Sequence, residues 1–233
     1  MIRKLLLTFG MCLTVLFAKA QLGYNYAQYD LGVSAGLNYA YTDAETVKGT
    51  PAALLHFTYN QTPFLNHIAE VQIGRLAGGD SLLTLSGRQF KNSYTAVSFR
   101  TQIQAGEFLN YEKSVIFNAL KNVYASGGIG VIYNNMTEIS RQSLYIPDFY
   151  SSGRNNTTEF FVPLKVGYEL KIFNSYDEPA VKVDFGYQYN LVLGDQIDGI
   201  NSGTRRDVFT QFVLGIKFGI GGFTSYRKQI SRQ

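Results

Sequence analysis

A chain of 233 residues with 17 tyrosines, 17 phenylalanines, 23 glycines and only 5 prolines is rich in the residues that build and turn strands. Its 21 basic and 17 acidic side chains include Arg3, Lys4 and Lys19 of an expected export leader; without them the balance is 18 to 17, which removes the electrostatic case for nucleic-acid binding. The single cysteine, Cys12, lies in the same leader, so residues 21–233 have no disulfide to rely on.

The leader, MIRKLLLTFGMCLTVLFAKA, has a basic start, an apolar run from Leu5 to Phe17 and a small-x-small site at Ala18-Lys19-Ala20. The apolar run is shorter than the roughly 20 residues of a spanning helix. Gly10-Met11 before Cys12 does not resemble a lipoprotein box. The expected organisation is a cleaved signal peptide at 1–20, one folded unit at 21–222 and a polar tail at 223–233.

Alternation then sets the elements. Tyr29–Tyr41 (YDLGVSAGLNYAY) places Tyr29, Leu31, Val33, Ala35, Leu37, Tyr39 and Tyr41 on one face, with aromatics at the ends and aliphatics between. Further strands are expected at about Ala52–Asn60, His67–Leu76, Tyr94–Ala105, Val123–Asn134, Glu159–Ile172, Ala180–Leu191 and Val208–Ile220. The sixth, EFFVPLKVGYELKI, sets Phe160, Val162, Leu164, Val166, Tyr168, Leu170 and Ile172 against Glu159, Lys165, Glu169 and Lys171. Pro163 on its polar face lacks an amide hydrogen, so a bulge or an interrupted bond is expected there.

The connections Thr42–Gly49, Ala77–Ser93, Met136–Thr157 and Val192–Arg206 are mostly long and polar, whereas Gln61–Asn66 and Phe173–Pro179 are short. Long outer loops and short periplasmic turns characterise small outer-membrane barrels. The link GEFLNYEKSVIFNALKN, Gly106–Asn122, falls on the short-turn side and is 17 residues long. Its Val115, Ile116, Ala119 and Leu120 read as a helical turn or two: a cap on the lower rim, a plug-like or membrane-surface element, or a docking site.

Eight strands of about ten residues, each with one apolar face, predict an all-β fold: a transmembrane antiparallel up-and-down β-barrel. A soluble barrel would point this many long aromatics inward and overfill an eight-stranded interior. On these residues the chain resembles the small outer-membrane β-barrel proteins of Gram-negative bacteria, particularly the Bacteroidetes barrel families and, more loosely, the membrane domain of the OmpA type. Its last strand, VLGIKFGI with Gly215, Phe218 and Ile220, resembles the barrel-assembly signal of such proteins, departing from it at Val213 and in not ending the chain. The resemblance implies an outer-membrane location.

Inward-facing Glu70, Arg100, Glu159, Lys165, Glu169, Lys171, Lys182, Asp184 and Lys217 carry both signs, and confinement requires them to pair, giving a polar core rather than a pore. Lipid-modifying enzymes resemble this scaffold in size, but the only histidines, His56 and His67, have no serine at a partnering offset on their own strands. Partners such as Ser98 or Ser126 would have to come through space. No catalytic set, cofactor site or metal site is expected. Asp80-Ser81-Leu82 looks like the short O-glycosylation motif of Bacteroidetes, and the outer stretch SLYIPDFYSSGRNN offers Tyr145, Phe149 and Tyr150 for contact with a protein or glycan.

The expected role is a non-catalytic barrel, envelope-structural or accessory to a larger surface complex; a narrow passive channel is the alternative, and a lipid-modifying enzyme a weaker one. Expected partners are outer-membrane lipid and other envelope proteins or surface glycans, with the chain a monomer or a subunit of a hetero-complex and no nucleic acid involved.

Overall fold

The computed structural model describes residues 23–84, 86–111, 114–146, 148–176, 178–201 and 206–227, so the expected signal peptide and residues 228–233 lie outside them. The strands are β1 Gly23–Tyr41, β2 Val47–Asn60, β3 Leu65–Gly79, β4 Gln89–Gln104, β5 Val123–Ser140, β6 Asn156–Phe173, β7 Pro179–Val192 and β8 Val208–Arg227. Each pairs antiparallel with its neighbour in sequence, and β8 returns to β1 to close the barrel. Closure removes the free edges that lipid would not tolerate.

Alternation in sequence becomes alternation of face. Along β4 the residues are buried and exposed in turn, with Val97, Phe99 and Ile103 outside and Ser98, Arg100 and Gln102 inside. The same parity puts Leu31, Val33, Leu55, Val71, Ile73, Ile129, Val166 and Leu214 on the outer wall.

Aromatic rings bound this apolar wall. At the end with the short turns, Tyr29 stacks on Phe57 at 5.7 Å, Tyr59 on His67 at 6.1 Å, His67 on Phe99 at 6.2 Å and Tyr168 on Phe185 at 5.6 Å. Toward the other end, Tyr39 and Tyr187 both pack on Phe212, at 6.3 and 5.0 Å. The ten steps from Tyr29 to Tyr39 span about 33 Å along the strand, or roughly 25 Å along the axis at an ordinary tilt, which is the height of a bilayer's apolar layer. A closed wall with a greasy outside of that height and charges within is a transmembrane barrel.

Several strands run past the boundaries set by alternation. β2 begins at Val47, β3 continues to Gly79, β5 to Ser140, and the outer connections shorten accordingly. Apolar alternation ends where the lipid ends, but backbone pairing continues into water, where nothing demands an apolar face. At the lower end, β1 from Gly23 and β8 to Arg227 form a paired ribbon below a register shift between Ala27 and Tyr29. Residues 223–227 of the expected tail thus continue β8, paired with β1.

Pro163 interrupts the ladder without shifting it. Pairing between β5 and β6 runs from Tyr168 to Leu164 opposite Gly127 and resumes in the same register at Phe161 opposite Gly130. Gly128 sits in this gap, and a Cβ there would fall 2.0 Å from the carbonyl oxygen of Phe99, so the wall closes on the other side only because the residue is glycine. The long lower link contains a 3₁₀ turn, Ala105–Glu107, and one short helix, α1 Val115–Leu120.

Candidate functional site: the lumen and its outer plug

The lower half of the lumen is ionic. Arg100 on β4 pairs with Glu70 on β3 and reaches Ser126 at 3.3 Å. Lys165 on β6 meets Asp184 on β7 at 2.6 Å, and the Tyr124 hydroxyl donates to the same carboxylate at 2.5 Å. Lys217 on β8 meets Glu169 at 2.7 Å, while Lys182 meets Asp30 at 2.6 Å. Lys171 makes no ion pair among the described residues; it donates to the Pro63 carbonyl at 2.6 Å and to Gln104 Oε1 at 2.8 Å and lies 4.7 Å over the Phe64 ring. All nine of these charged groups are buried, and adjacent inward positions on a pleated wall are what bring them together.

Above this layer lies a belt of neutral polar groups. Gln211 Nε2 is shared among Asn38 Oδ1 at 2.8 Å, Gln72 Oε1 at 3.1 Å and the Tyr94 hydroxyl at 3.1 Å, while Gln72 donates to Glu70 at 2.7 Å and so joins the two layers. The outer half of the lumen is apolar: Leu76, Phe90, Tyr94, Ala96, Ile132, Phe161 and Phe209 pack together. Periodicity did not disclose this layer. In stretches such as Val131-Ile132-Tyr133 and Phe160-Phe161-Val162 both faces are apolar, so the inward residue has no contrast with its neighbours.

The loop between β7 and β8 enters this apolar mouth. Ile197 and Ile200 are fully buried, the Ile197 carbonyl accepts from Asn92 at 2.8 Å, and the Gly199 carbonyl accepts from Arg141 Nε at 2.9 Å. Asp207 accepts from the Ile197 amide at 3.0 Å and Asp198 from the Ile200 amide at 2.8 Å. Burial raises both carboxyls above the usual carboxylate range, and neighbouring acids, Asp43 and Asp195 beside Asp198 and Asp198 beside Asp207, push the same way. Glu159 belongs to this mouth rather than to the ionic layer: a Cβ on Gly194 of the plug loop would fall 2.1 Å from its Oε1.

The lower end is closed by aromatics. Tyr26, Phe64 and Tyr111 form a buried cluster with Phe173 and Tyr226 packed against it, Tyr111 arriving from the long link with its ring tilted against that of Phe64 at 5.6 Å. The barrel is thus filled in four layers along its axis.

Of the nine predicted lumen charges, eight lie in the ionic layer and Glu159 stands apart. Asp30 was not assigned to the network, although it shares the inward face with Gly32 and Ser34; neither were Tyr124, Gln72, Gln104 and Gln211, whose roles depend on neighbours far off in sequence. His56 bonds Ser34 through Nε2 at 2.8 Å, not Ser98 or Ser126. This pair is buried, and among the described residues Nδ1 has no hydrogen-bond partner that could act as the orienting third group of a catalytic triad. His67 faces outward and bonds Thr101 and Gln61, each at 3.1 Å. Among the described residues no group of three or more His, Cys, Asp or Glu is placed to hold a metal ion.

Tyr145, Phe149 and Tyr150 are exposed on the outer loop between β5 and β6, beside equally exposed Leu144 and Ile146. Asp80 Oδ1 of the Asp80-Ser81-Leu82 stretch accepts from the amides of Leu82 at 2.9 Å and Leu83 at 3.1 Å, a local turn that holds its carboxyl below the usual range.

No family model matches the chain, and no curated protein matches it. Among solved structures it is similar to Neisserial surface protein A, at 13% identity over 83% of this chain and 98% of that one, with a TM-score of 0.47. It is similar to Ail, the attachment invasion locus protein of Yersinia pestis, solved with the heparin analogue sucrose octasulfate, at 13% identity over 84% and 97% and a TM-score of 0.45. The outer membrane protein OprG of Pseudomonas aeruginosa is similar at 12% identity over 89% and 99%, with a TM-score of 0.38.

Proposed function

We propose that this chain is a closed, non-catalytic barrel of a Gram-negative outer membrane, serving the envelope as a structural element or as an accessory subunit of a surface complex. Filling of the lumen carries the reading. An ion crossing it would have to part paired charges, pass a belt of bonded amides and then displace Ile197 from an apolar mouth, and each step removes contacts that nothing along the path replaces. The exposed Tyr145, Phe149 and Tyr150 supply the contact surface, since aromatic side chains on outer loops are suited to protein or glycan recognition. The test is a planar-bilayer recording of the folded protein. No unitary current is expected, and a steady conductance that changes with Lys165→Met or Glu169→Gln would replace this reading with the narrow channel.

A further inference from the structure

The long link between β4 and β5 has two unlike parts. Its first part sends Tyr111 beneath the lumen. Its second part, α1, turns outward: Val115 and Ile116 are each 67% exposed, Phe117 43% and Leu120 44%, and the helix buries only Asn118. Its six residues, VIFNAL, carry no charge. A helix this short has little stability of its own, so its position depends on what it rests against.

It rests against the lipid side of the wall. The Ala119 carbonyl accepts from the Tyr168 hydroxyl at 3.0 Å, and Tyr168 stands in the outward row of β6, register-paired with outward-facing Val123 and Phe185. Its ring stacks on Phe185 in the lower aromatic girdle. The chain just past the helix is then pinned twice, the Lys121 carbonyl accepting from the Gly106 amide at 2.7 Å and the Asn122 carbonyl from the Glu169 amide at 3.1 Å.

We propose that α1 is a membrane anchor, its Val115, Ile116, Phe117 and Leu120 side chains set among the acyl chains of the leaflet at the short-turn end. Bilayer lipid is the occupant because the patch continues the lipid-facing wall at girdle depth and is uncharged; amphipathic helices at a membrane surface bury their apolar face about 5–10 Å into the headgroup–acyl boundary, the depth of this girdle. The inference rests on the transmembrane reading of the barrel.

The experiment separates the two. In a Cys12→Ser background, Ile116→Cys and Leu120→Cys are each labelled with an environment-sensitive dye, as are Leu214→Cys on the outer wall and Tyr145→Cys on the outer loop. The full chain is folded into phosphatidylcholine vesicles bearing bromines near the headgroup or near the chain end, and folding is checked by its gel-mobility shift on heating. Labels at 116 and 120 are expected to lose most of their emission to the shallow bromines and little to aqueous iodide, the label at 214 to be quenched by lipid, and the label at 145 by iodide. Iodide quenching without lipid quenching at both 116 and 120, with the 214 label still quenched by lipid, overturns the anchor and leaves a water-exposed surface for a periplasmic partner. If the 214 label also escapes lipid, the transmembrane reading fails and the anchor fails with it.

Discussion

Lys165 and Asp184 meet at 2.6 Å inside a wall that excludes water from both. Removing one partner of a buried pair strands the other, at a cost of about 3–5 kcal/mol, whereas removing both together costs much less. Lys165→Met and Asp184→Asn should therefore each destabilise the barrel by about that amount, and the double variant by less than their sum, measured by reversible denaturant unfolding in lipid vesicles. Additive losses would mean that the pair does not act as a unit. Lys171 illustrates a different solution: carbonyl oxygens and an aromatic face hold its ammonium where its neighbours already claim the carboxylates.

At the scale of elements, the outer plug has a pH dependence built into its anchors. Asp198 and Asp207 cap the amides of Ile200 and Ile197 while their carboxyls are raised, first by burial and then by other acids; Glu159, Asp43 and Asp195 face the same mouth, with Arg141 on the far side of the loop. The folded loop therefore holds protons that a free carboxylate would release. Its stability is full below the ordinary carboxylate range and declines as pH rises from there through the raised values. Hydrogen exchange at Ile197 and Ile200, corrected for intrinsic rates, should quicken as pH rises from about 4 to about 9, and Asp207→Asn should flatten that profile. A profile that is flat in the parent protein would remove the carboxyls from any part in holding the plug.

Across the whole molecule, the accessory-subunit reading proposed above assigns docking to the outer aromatic patch. Extraction of the full chain from native membranes in mild detergent should retain a stoichiometric partner, and replacing Tyr145, Phe149 and Tyr150 together by alanine should release it, each buried aromatic contributing about 2 kcal/mol. A monodisperse free barrel before and after the change would favour a structural role alone. The wall and its facing were legible in the sequence because lipid outside and charge inside give every strand of the lower half a two-residue contrast, as Lys165 and Val166 or Asp184 and Phe185 show. The apolar upper lumen, the Ile197 plug and the Ser34–His56 bond were not. The first lacks contrast, and the other two are long-range placements that no local period encodes.

The closing seam sets this wall apart from a simple row of hairpins. Seven of the eight pairings join strands that follow one another, so each is found by a local search; the eighth joins β1 to β8, from Gly23 opposite Arg227 to Tyr41 opposite Val208. The ring cannot shut until its last strand has left the export machinery, and until then both seam strands carry unpaired rungs that lipid penalises. Because loop-closure entropy grows only slowly with length, the hazard lies less in finding the partner than in the interval of waiting for it. The first strand must be sheltered for the whole time that the rest of the chain is being delivered.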